Sequence, residues 1–281
     1  MLTSIKNPLI KNIRKLHYSK HRKVQQRFLL EGTNLVEAAC EVNYPLEVVC
    51  YTCYWQDKHP DLSEKIQQWA QRTEVVSPEI INVISTTKTP DGVIAIAAGS
   101  ERSSIDPKGQ RSIASIAPRF SSQPPDLATL QLGLILEQLQ DPGNMGTIIR
   151  TAAAASVEGI WASEDSVEFD HPKVLRASVG AWFRLPMAVT SDLSSLVQQF
   201  PGQVVATVPT AEKTYWEVDF QQPTLILMGN EGAGLSPELA NLADEQVTIP
   251  VATGVESLNV AIATSLILYE AKRQLTMMNT F

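Results

Sequence analysis

Short apolar runs alternate with helical segments through the second half of the chain, and this alternation limits the possible folds more than any other feature. The apolar runs lie at 132–139, 159–162, 186–190, 204–208, 224–228 and 247–251. Helical patterns lie near 145–155, 172–183, 193–200, 237–243 and 257–275. Short apolar strands separated by helices are typical of a parallel sheet covered on both faces. Such α/β sheets bind ligands in the loops at the carboxyl ends of their strands.

The first hundred residues have a different pattern, which predicts a smaller α/β unit. A basic N-terminal arm is followed by a helix near 32–42, a strand at 46–52, helices at 61–72 and 78–84, and a buried strand at 92–98. Residues 99–127 are rich in Ser, Pro and Gln and predict a linker or a mobile insertion. We therefore expect a first domain at 1–98, a linker at 99–127 and a second domain at 128–281.

The composition predicts a globular cytoplasmic protein. With 44% apolar and 19% charged residues, the chain is neither disordered nor fibrous. The longest apolar runs are far shorter than the roughly 18 residues that a membrane span needs, and the N-terminus lacks the apolar region of a signal peptide. The 3 cysteines, an odd number, argue against a secreted disulfide framework.

Metal and redox chemistry have little support in the sequence. Cys50 and Cys53 form a single CxxC pair with no second pair and no neighbouring histidine, in or beside a predicted strand. Buried structural thiols are the favoured interpretation of this pair. The 4 histidines have no metal-ligand spacing, so we expect no metal.

The charge is distributed unevenly along the chain. Residues 1–30 contain eight basic residues and no acidic one, whereas the rest of the chain carries 15 basic against 30 acidic residues. A basic arm on an acidic body is suited to binding a polyanion. A solvated helix face or a loose terminus would explain the arm equally well on charge alone.

The segment LILEQLQDPGNMGTIIRTAAAA at 134–155 places polar residues after an apolar strand. Asn144 is placed to cap a helix that begins near Met145. Arg150 follows on the second helical turn, among small and apolar residues that do not need it for packing. Burying an arginine is costly without an anionic partner. Arg150 is therefore a candidate functional residue, with a surface arginine paired to an acid as the alternative.

The segment LILMGNEGAGL at 225–235 also follows an apolar strand. Its three glycines allow close backbone approach around Glu231, although their spacing is not a phosphate fingerprint. A tight turn into the next helix is the simpler interpretation.

The segment at 247–269 ends in a long helix that Ser257 and Asn259 open. Capping would explain both polar side chains. The helix is apolar nearly all round, which predicts that it is buried.

Together these segments resemble the SpoU family of RNA ribose 2′-O-methyltransferases, within the SPOUT class. The resemblance rests on NMGTIIR at 144–150, MGNEGAGL at 228–235, IP at 249–250 and ESLNV at 256–260, with KVLRASVGA at 173–181 and LP at 185–186 between them. The first domain resembles the family's L30e-like substrate-binding domain, through FLLEG at 28–32 and DGV at 91–93.

The resemblance implies an α/β fold in which the C-terminal SPOUT domain is tied in a deep trefoil knot, an exception to the usual absence of knots. It also implies S-adenosylmethionine as the cofactor, held largely through backbone groups. The residues at the matching positions are Val208, Gly229, Ile249, Leu258 and Asn259. Small, apolar walls at these positions suit a flat adenine ring.

The family gives the counterpart of Arg150 a central catalytic role, in some descriptions as the general base. Because arginine is effectively always protonated, we expect Arg150 instead to stabilise the developing alkoxide or an adjacent phosphate. Asn144 and Asn259 would orient the hydroxyl or Arg150. Glu231 would position groups in the pocket.

The implied partners are RNA, which alone displays a 2′-hydroxyl, and a second copy of the chain bound through the C-terminal domain, with the final helix contributing. The predicted RNA contacts in the basic arm are Lys11, Arg14, Lys15, Arg22, Lys23 and Arg27. Residues 126–281 contain 7 basic against 18 acidic residues, so this domain cannot attract RNA by net charge.

The two-domain layout favours rRNA as the substrate, with tRNA as the alternative. A non-catalytic RNA-binding or ribosome-assembly factor on the same fold is a further alternative, against which the intact Asn144, Arg150, Glu231 and Asn259 argue. An ordinary nucleotide-binding Rossmann enzyme is disfavoured because no GxGxxG fingerprint follows a strand, and P-loop and GxSxG motifs are also absent.

Overall fold

The computed structural model describes residues 1–99 and 126–278. The predicted linker at 99–127 therefore lies almost entirely outside the described residues. The described chain separates into two units, one formed by residues 1–99 with 169–183 and the other by residues 126–168 and 184–278. The domain boundaries expected from the sequence leave 169–183 in the second domain, whereas its contacts group this segment with the first unit.

The first unit combines helices with a mixed four-stranded sheet. Its helices, numbered in chain order, are α1 (Pro8–Lys15), α2 (Ser19–Gln25), α3 (Thr33–Glu41), α4 (Cys53–Lys58), α5 (Pro60–Trp69), α6 (Pro78–Ile84) and, from later in the chain, α8 (Pro172–Ser178). Its strands are β1 (Arg27–Glu31), β2 (Leu46–Tyr51), β3 (Arg72–Val75) and β4 (Val93–Ala98). The order is β1-β4-β2-β3, with β4 antiparallel to β1 and β2, and β3 parallel to β2.

The basic arm is an integral part of this unit. Ile10 and Ile13 on α1, and Leu16 just after it, are buried in the same core cluster as Ile80 and Ile84 of α6. Apolar residues at a spacing of three place one face of α1 on the core, and the lysines and arginines between them point to solvent. The arm is therefore a folded helix face and not a loose terminus.

The segment at 169–183 is fixed in the first unit by polar and aromatic contacts. Arg176 on α8 forms a 3.0 Å ion pair with Glu31, which is almost fully buried at the end of β1. Trp182 packs its ring against those of Phe28 and Tyr44, with centroids 5.1 and 6.0 Å apart. These side chains explain why the segment belongs to a unit whose other residues lie far earlier in the sequence.

The two thiols of the CxxC pair lie in different environments. Cys50 is buried on β2, and this burial raises the pKa of its thiol to about 12. Cys53 is exposed where α4 begins. The prediction that both are buried is correct for Cys50 and wrong for Cys53, because the strand ends at Tyr51 and the chain turns outward into a helix.

The second unit is a parallel sheet flanked by helices, which confirms the fold class predicted from the alternating pattern. Its strands are β5 (Leu132–Leu136), β6 (Gly159–Ser163), β7 (Met187–Thr190), β8 (Gln203–Thr207), β9 (Lys213–Thr214), β10 (Thr224–Met228) and β11 (Glu245–Thr248). They lie in the order β7-β6-β5-β10-β8-β11-β9, and all neighbouring pairs are parallel. Its helices are α7 (Pro142–Ala155), α9 (Leu193–Gln199), α10 (Pro237–Ala240) and α11 (Val260–Met278).

The long helices α7 and α11 run side by side in the same direction. Three side-chain contacts join them: Asn144 to Asn259, Thr151 to Ser265, and Ser156 to Lys272. The partners are 115, 114 and 116 residues apart in the sequence. A nearly constant offset is what parallel helices with the same rise per residue give.

One face of α11 is not buried. Ile262, Leu266 and Tyr269 are 52%, 38% and 52% exposed, and their spacing of four and three residues forms a single stripe. The prediction that this helix is buried all round is therefore wrong for the isolated chain.

Within the described residues, no helix combines the length and the apolar character needed to cross a membrane.

Candidate active site

Three loops at the carboxyl edge of the second unit's sheet carry the predicted polar residues. They follow β5, β10 and β11 and cover residues 137–141, 229–236 and 249–259. In the sheet β5 pairs directly with β10, and β8 lies between β10 and β11. Because all these strands are parallel, the three loops leave the sheet at the same edge.

Asp141, and not Asn144, caps the helix that follows the first loop. The α7 helix begins at Pro142, and Asp141 Oδ1 accepts the backbone N–H of Asn144 at 2.8 Å. The predicted capping role of Asn144 is therefore wrong, because the proline at the first helical position starts the helix earlier. The Asn144 side chain is left free for contacts with the other two loops.

Asn144 joins Glu231 and Asn259 in one line of hydrogen bonds, which we call the relay. Asn144 Nδ2 donates to Glu231 Oε1 at 3.0 Å, and Asn144 Oδ1 accepts from Asn259 Nδ2 at 3.0 Å. Asn259 Oδ1 in turn accepts the backbone N–H groups of Ala261 and Ile262 at 3.0 and 3.4 Å, and so caps α11. The structure thus brings together three of the four predicted catalytic residues.

The direction of the relay is fixed at both ends. An ionised carboxylate only accepts hydrogen bonds, so Asn144 must turn its amide nitrogen toward Glu231. The N–H groups at the start of a helix only donate, so Asn259 must turn its oxygen toward α11. Both carboxamides consequently have one orientation. Glu231 and Asn259 are exposed, so the relay is accessible to a substrate.

Asn230 holds the second loop in shape, a role that the sequence analysis did not assign. Its Nδ2 donates to the backbone oxygen of Gln138 at 2.8 Å, and its Oδ1 accepts the N–H groups of Gly232 and Ala233 at 2.8 and 3.0 Å. The signal available in the sequence was a polar residue two positions after a buried strand, next to Glu231.

Gly229 is required by a close backbone approach. A Cβ at this position would lie 2.2 Å from backbone atoms of Gly234 and Leu235. The end of the loop therefore packs directly against its first residue, Gly229. This close packing determines the position of Glu231.

Two serines hold the first loop. Gln138 has a φ of 54°, in the left-handed region, and its N–H donates to Ser163 Oγ at 2.8 Å. The next N–H, of Leu139, donates to Ser166 Oγ at 3.1 Å. Ser163 is the last residue of β6 and Ser166 follows that strand. The sequence analysis did not identify either serine, because nothing in a single serine distinguishes such a contact.

The predicted cofactor residues line the same edge. Gly229 is buried, and Val208, Ile249 and Leu258 are half-buried. The backbone N–H groups of Ile249 and Leu258 donate to no other residue in the part of the chain that the structure describes. Half-buried apolar side chains beside free backbone donors are a suitable wall for a flat heterocycle with ring-nitrogen acceptors.

Asn259, also predicted to contact the cofactor, has its side chain occupied. The carboxamide oxygen caps α11 and the nitrogen donates to Asn144. A contact from this residue to a cofactor would therefore come from its backbone.

Arg150 is exposed and stands apart from the relay. It lies six residues after Asn144 on α7, which corresponds to about 9 Å along the helix axis. Within the described residues its side chain has neither an ion pair nor a hydrogen bond. Arg150 lies on the exposed face of α7, together with Thr147 and Ala154. The alternative of a surface arginine paired to an acid is therefore not what the described residues show. The guanidinium is free to bind an anion from outside the chain.

The predicted RNA contacts differ in how far their side chains are exposed. Those that are exposed are Lys11, Arg14, Lys15 and Lys23. Arg22 is 2% exposed and donates to Asp170 Oδ1 at 3.2 Å, so it is removed from the candidate RNA surface. Arg27 is half-buried and paired with Glu47 at 2.6 Å.

Comparison with known families gives two matches, to separate parts of the chain. The profile of the SpoU rRNA Methylase family matches residues 131–269, and that of the MRM3-like substrate binding domain matches residues 7–95. The first includes all three loops described above.

Relatives match over nearly the whole chain. An uncharacterized tRNA/rRNA methyltransferase of Synechocystis is 44% identical over 97% of this chain and 93% of its own. The 23S rRNA (guanosine(2553)-2′-O)-methyltransferase RlmP of Bacillus subtilis is 29% identical over 96% of this chain and 98% of its own. The AdoMet-bound rRNA methyltransferase from Sinorhizobium meliloti superposes with a TM-score of 0.79 at 31% identity, covering 98% of this chain and 97% of that one.

The match with the Synechocystis protein is long and close enough to establish descent, and the relay lies within the part that the family profile covers. The chain belongs to the SpoU rRNA methylase family.

Proposed function

We propose that this chain transfers the methyl group of S-adenosylmethionine to a ribose 2′-hydroxyl of ribosomal RNA. The observation that carries the proposal is the relay of Glu231, Asn144 and Asn259. It is assembled from three separate loops at the carboxyl edge of the parallel sheet, where α/β sheets bind their ligands. The relative from Bacillus subtilis and one from Streptomyces viridochromogenes, 28% identical over 88% of this chain, are both named 23S rRNA 2′-O-methyltransferases. These names favour rRNA over tRNA.

S-adenosylmethionine, when bound, supplies a methyl group on a positively charged sulfur. Val208, Gly229, Ile249 and Leu258 would hold it, with the free N–H groups of Ile249 and Leu258 available to its adenine. In the knotted path that the family implies, the loops after β10 and β11 would form part of the knot.

Arg150 would act on the acceptor. A ribose hydroxyl is a weak nucleophile, and it gains negative charge as its proton leaves and its oxygen attacks. A guanidinium with no partner in the protein can stabilise that charge or hold the neighbouring phosphate. Since arginine does not give up its proton, the hydroxyl proton goes to another acceptor.

The relay would orient the reacting groups. Glu231 sets the orientation of Asn144, and α11 sets that of Asn259, so the polar edge is organised before a substrate arrives. Preorganised dipoles lose little energy to reorientation during the reaction, which is the main way in which such groups lower a barrier.

The first unit would provide the affinity for RNA. Its α1 and α2 helices expose lysines and arginines, and the second unit has a large excess of acidic residues. Phosphate contacts should therefore come mainly from the first unit, with the salt dependence that they bring.

A second copy of the chain would cover the open face of α11. Ile262, Leu266 and Tyr269 expose an apolar stripe, and Tyr215 lines the same cleft. Exposed apolar stripes of this kind mark association surfaces. The substitution Leu266→Asp should convert a homodimer to monomers in analytical ultracentrifugation, and an unchanged sedimentation coefficient would place the interface elsewhere.

The activity is tested with tritiated S-adenosylmethionine and three acceptors: an unmodified 23S rRNA transcript, an unmodified tRNA transcript, and DNA of the rRNA sequence. We expect label in the rRNA alone, at a nucleotide whose 3′ phosphodiester resists alkaline hydrolysis because its 2′-oxygen is blocked. DNA is the matched control, since it lacks only the 2′-hydroxyl among the sugar groups. Label in the tRNA alone, or on a base, would contradict the proposal.

A further inference from the structure

The exposed surface of α1 and α2 contains more than positive charge. Lysines and arginines at 11, 14, 15, 20 and 23 are exposed, and neither helix contains an acidic residue. Between the helices, at the corner where the chain turns, Tyr18 is 69% exposed. Its ring contributes little to the core, so the fold does not account for an aromatic residue there.

The corner that presents Tyr18 is held rigidly from inside. The buried Arg22 donates through Nη1 to the backbone oxygens of Leu16 and His17, both at 3.3 Å, and through Nε to Asp170. His17 Nε2 donates to the backbone oxygen of Ile84 at 2.8 Å. The residues on either side of the corner are thus tied down, while the tyrosine ring remains outside.

The ring also has a fixed neighbour. The His21 ring stands edge-on to Tyr18 with centroids 6.5 Å apart, an interplanar angle of 71°. This contact supports one side of the tyrosine and leaves ring surface open. A rigid aromatic ring flanked by cations is the arrangement that binds single-stranded nucleic acid, since the cations follow the phosphates and the ring stacks on a base.

We infer that the α1–α2 corner binds an unpaired nucleotide of the RNA, with its base stacked on Tyr18 and its flanking phosphates held by the exposed lysines and Arg14. This inference rests on the proposed function only in taking RNA as the ligand. It goes beyond that function by selecting a structural class of substrate: an RNA that contains a loop, bulge or single strand, in preference to a continuous duplex. A duplex offers phosphates but no free base face, so it would not use the tyrosine.

The test uses the full chain and a short single-stranded oligouridylate that carries a fluorophore and one 5-iodouridine. Long-wavelength irradiation links iodouridine to an aromatic side chain stacked on it, and peptide mass spectrometry locates the link. We expect the link at Tyr18. In fluorescence anisotropy, Tyr18→Ala should bind about 5- to 100-fold more weakly, whereas Tyr18→Phe, which keeps the ring, should bind as the parent does.

Two controls separate stacking from charge. Tyr54→Ala removes another strongly exposed tyrosine of the same unit, 75% exposed, and should leave binding unchanged. Lys15→Gln should reduce the slope of log affinity against log salt by about 0.7, the value for one phosphate contact on a single strand, whereas Tyr18→Ala should lower affinity without changing that slope.

The inference fails if the link maps to another residue, if Tyr18→Ala binds as the parent does, or if a duplex of the same length competes as well as the single strand. Its failure is distinct from that of the proposed function. Methyl transfer to an rRNA transcript without a Tyr18 effect would overturn only the stacking site, and a Tyr18-dependent link without methyl transfer to any RNA would overturn only the activity.

Discussion

Asn259 donates its side-chain amide to the Asn144 carboxamide oxygen at 3.0 Å, although 115 residues separate them in the sequence. Because Asn259 also caps α11 through its oxygen, one residue connects helix formation to the orientation of the relay. The two roles can be separated by mutation, since aspartate caps a helix as well as asparagine does but cannot donate.

Asn259→Asp should therefore impair methyl transfer and leave the fold intact. With aspartate at position 259, the Asn144 carboxamide lies between two carboxylates that both need a donor. In either orientation its oxygen therefore faces one of them, Asp at 259 or Glu231, without a hydrogen bond. We expect a rate of methyl transfer about 10- to 100-fold lower, the cost of a hydrogen bond to a charged group. Single-turnover assays measure the rate. Asn241→Asp, an exposed position with the same change of charge, is the control and should retain full activity.

Arg150→Ala should abolish methyl transfer and leave cofactor binding and stability almost unchanged. The side chain is exposed and has no partner among the described residues, so its removal should alter the free energy of unfolding by no more than about 0.5 kcal/mol. Calorimetric titration with S-adenosylmethionine and thermal unfolding check these two expectations. A variant that still turns over at the parent rate would refute the role assigned to Arg150.

The sequence predicts the sheet and most of the relay because both depend on local patterns. Buried parallel strands are apolar over their whole length, and polar residues after them collect at one edge of the sheet. The resemblance then selects Asn144, Glu231 and Asn259 among the polar residues there. The hydrogen bonds that connect these residues, and their fixed direction, depend on how three loops meet in the fold. No short stretch of the sequence predicts that meeting.

The incorrect predictions concern positions where several residues look equally suitable in the sequence, and only the tertiary packing determines which of them takes the role. Asp141 and Asn144 are both good helix caps, and Pro142 decides between them. The sequence places Arg150 on a helix of small and apolar residues but does not show which face of that helix is exposed. Arg22 belongs to a run of basic residues in which the sequence does not separate the buried side chain from the exposed ones. The grouping of 169–183 with the first unit depends on contacts with residues more than a hundred positions away.

The glycines of the second loop should differ sharply in their tolerance of a methyl group. Gly229→Ala would push a Cβ to 2.2 Å from the backbone of the returning loop, whereas a Cβ on Gly232 would meet only Asn230 Oδ1, at 3.6 Å. We expect Gly229→Ala to displace Glu231, lower the melting temperature and abolish activity. Gly232→Ala should leave both close to the parent values. Equal behaviour of the two variants would contradict the loop conformation described above.

Alkaline pH should destabilise the protein through Cys50. Burial raises the pKa of this thiol from 9.0 to about 12, so the folded protein keeps a proton that the unfolded chain releases. The stabilisation is full below pH 9 and is lost as the pH rises towards 12, by at most about 1.4 kcal/mol per pH unit. Urea unfolding across this range measures the slope. Cys50→Ala should make this slope less steep. Part of the slope should remain, because burial also raises the pKa of Tyr44.

Arg22→Met should destabilise the first unit, because the guanidinium is an internal brace and not an RNA ligand. It is 2% exposed, pairs with Asp170 and supports the backbone oxygens of Leu16 and His17. Methionine would leave these acceptors without their donor, at a cost of about 3 kcal/mol. Lys15→Met, at an exposed lysine of α1, is the matched control. It should unfold at the parent's urea concentration but show a weaker salt dependence of RNA binding. If instead Arg22→Met were as stable as Lys15→Met and lost the same salt dependence, Arg22 would belong to the RNA surface, and the rigid corner beneath Tyr18 would lose its support.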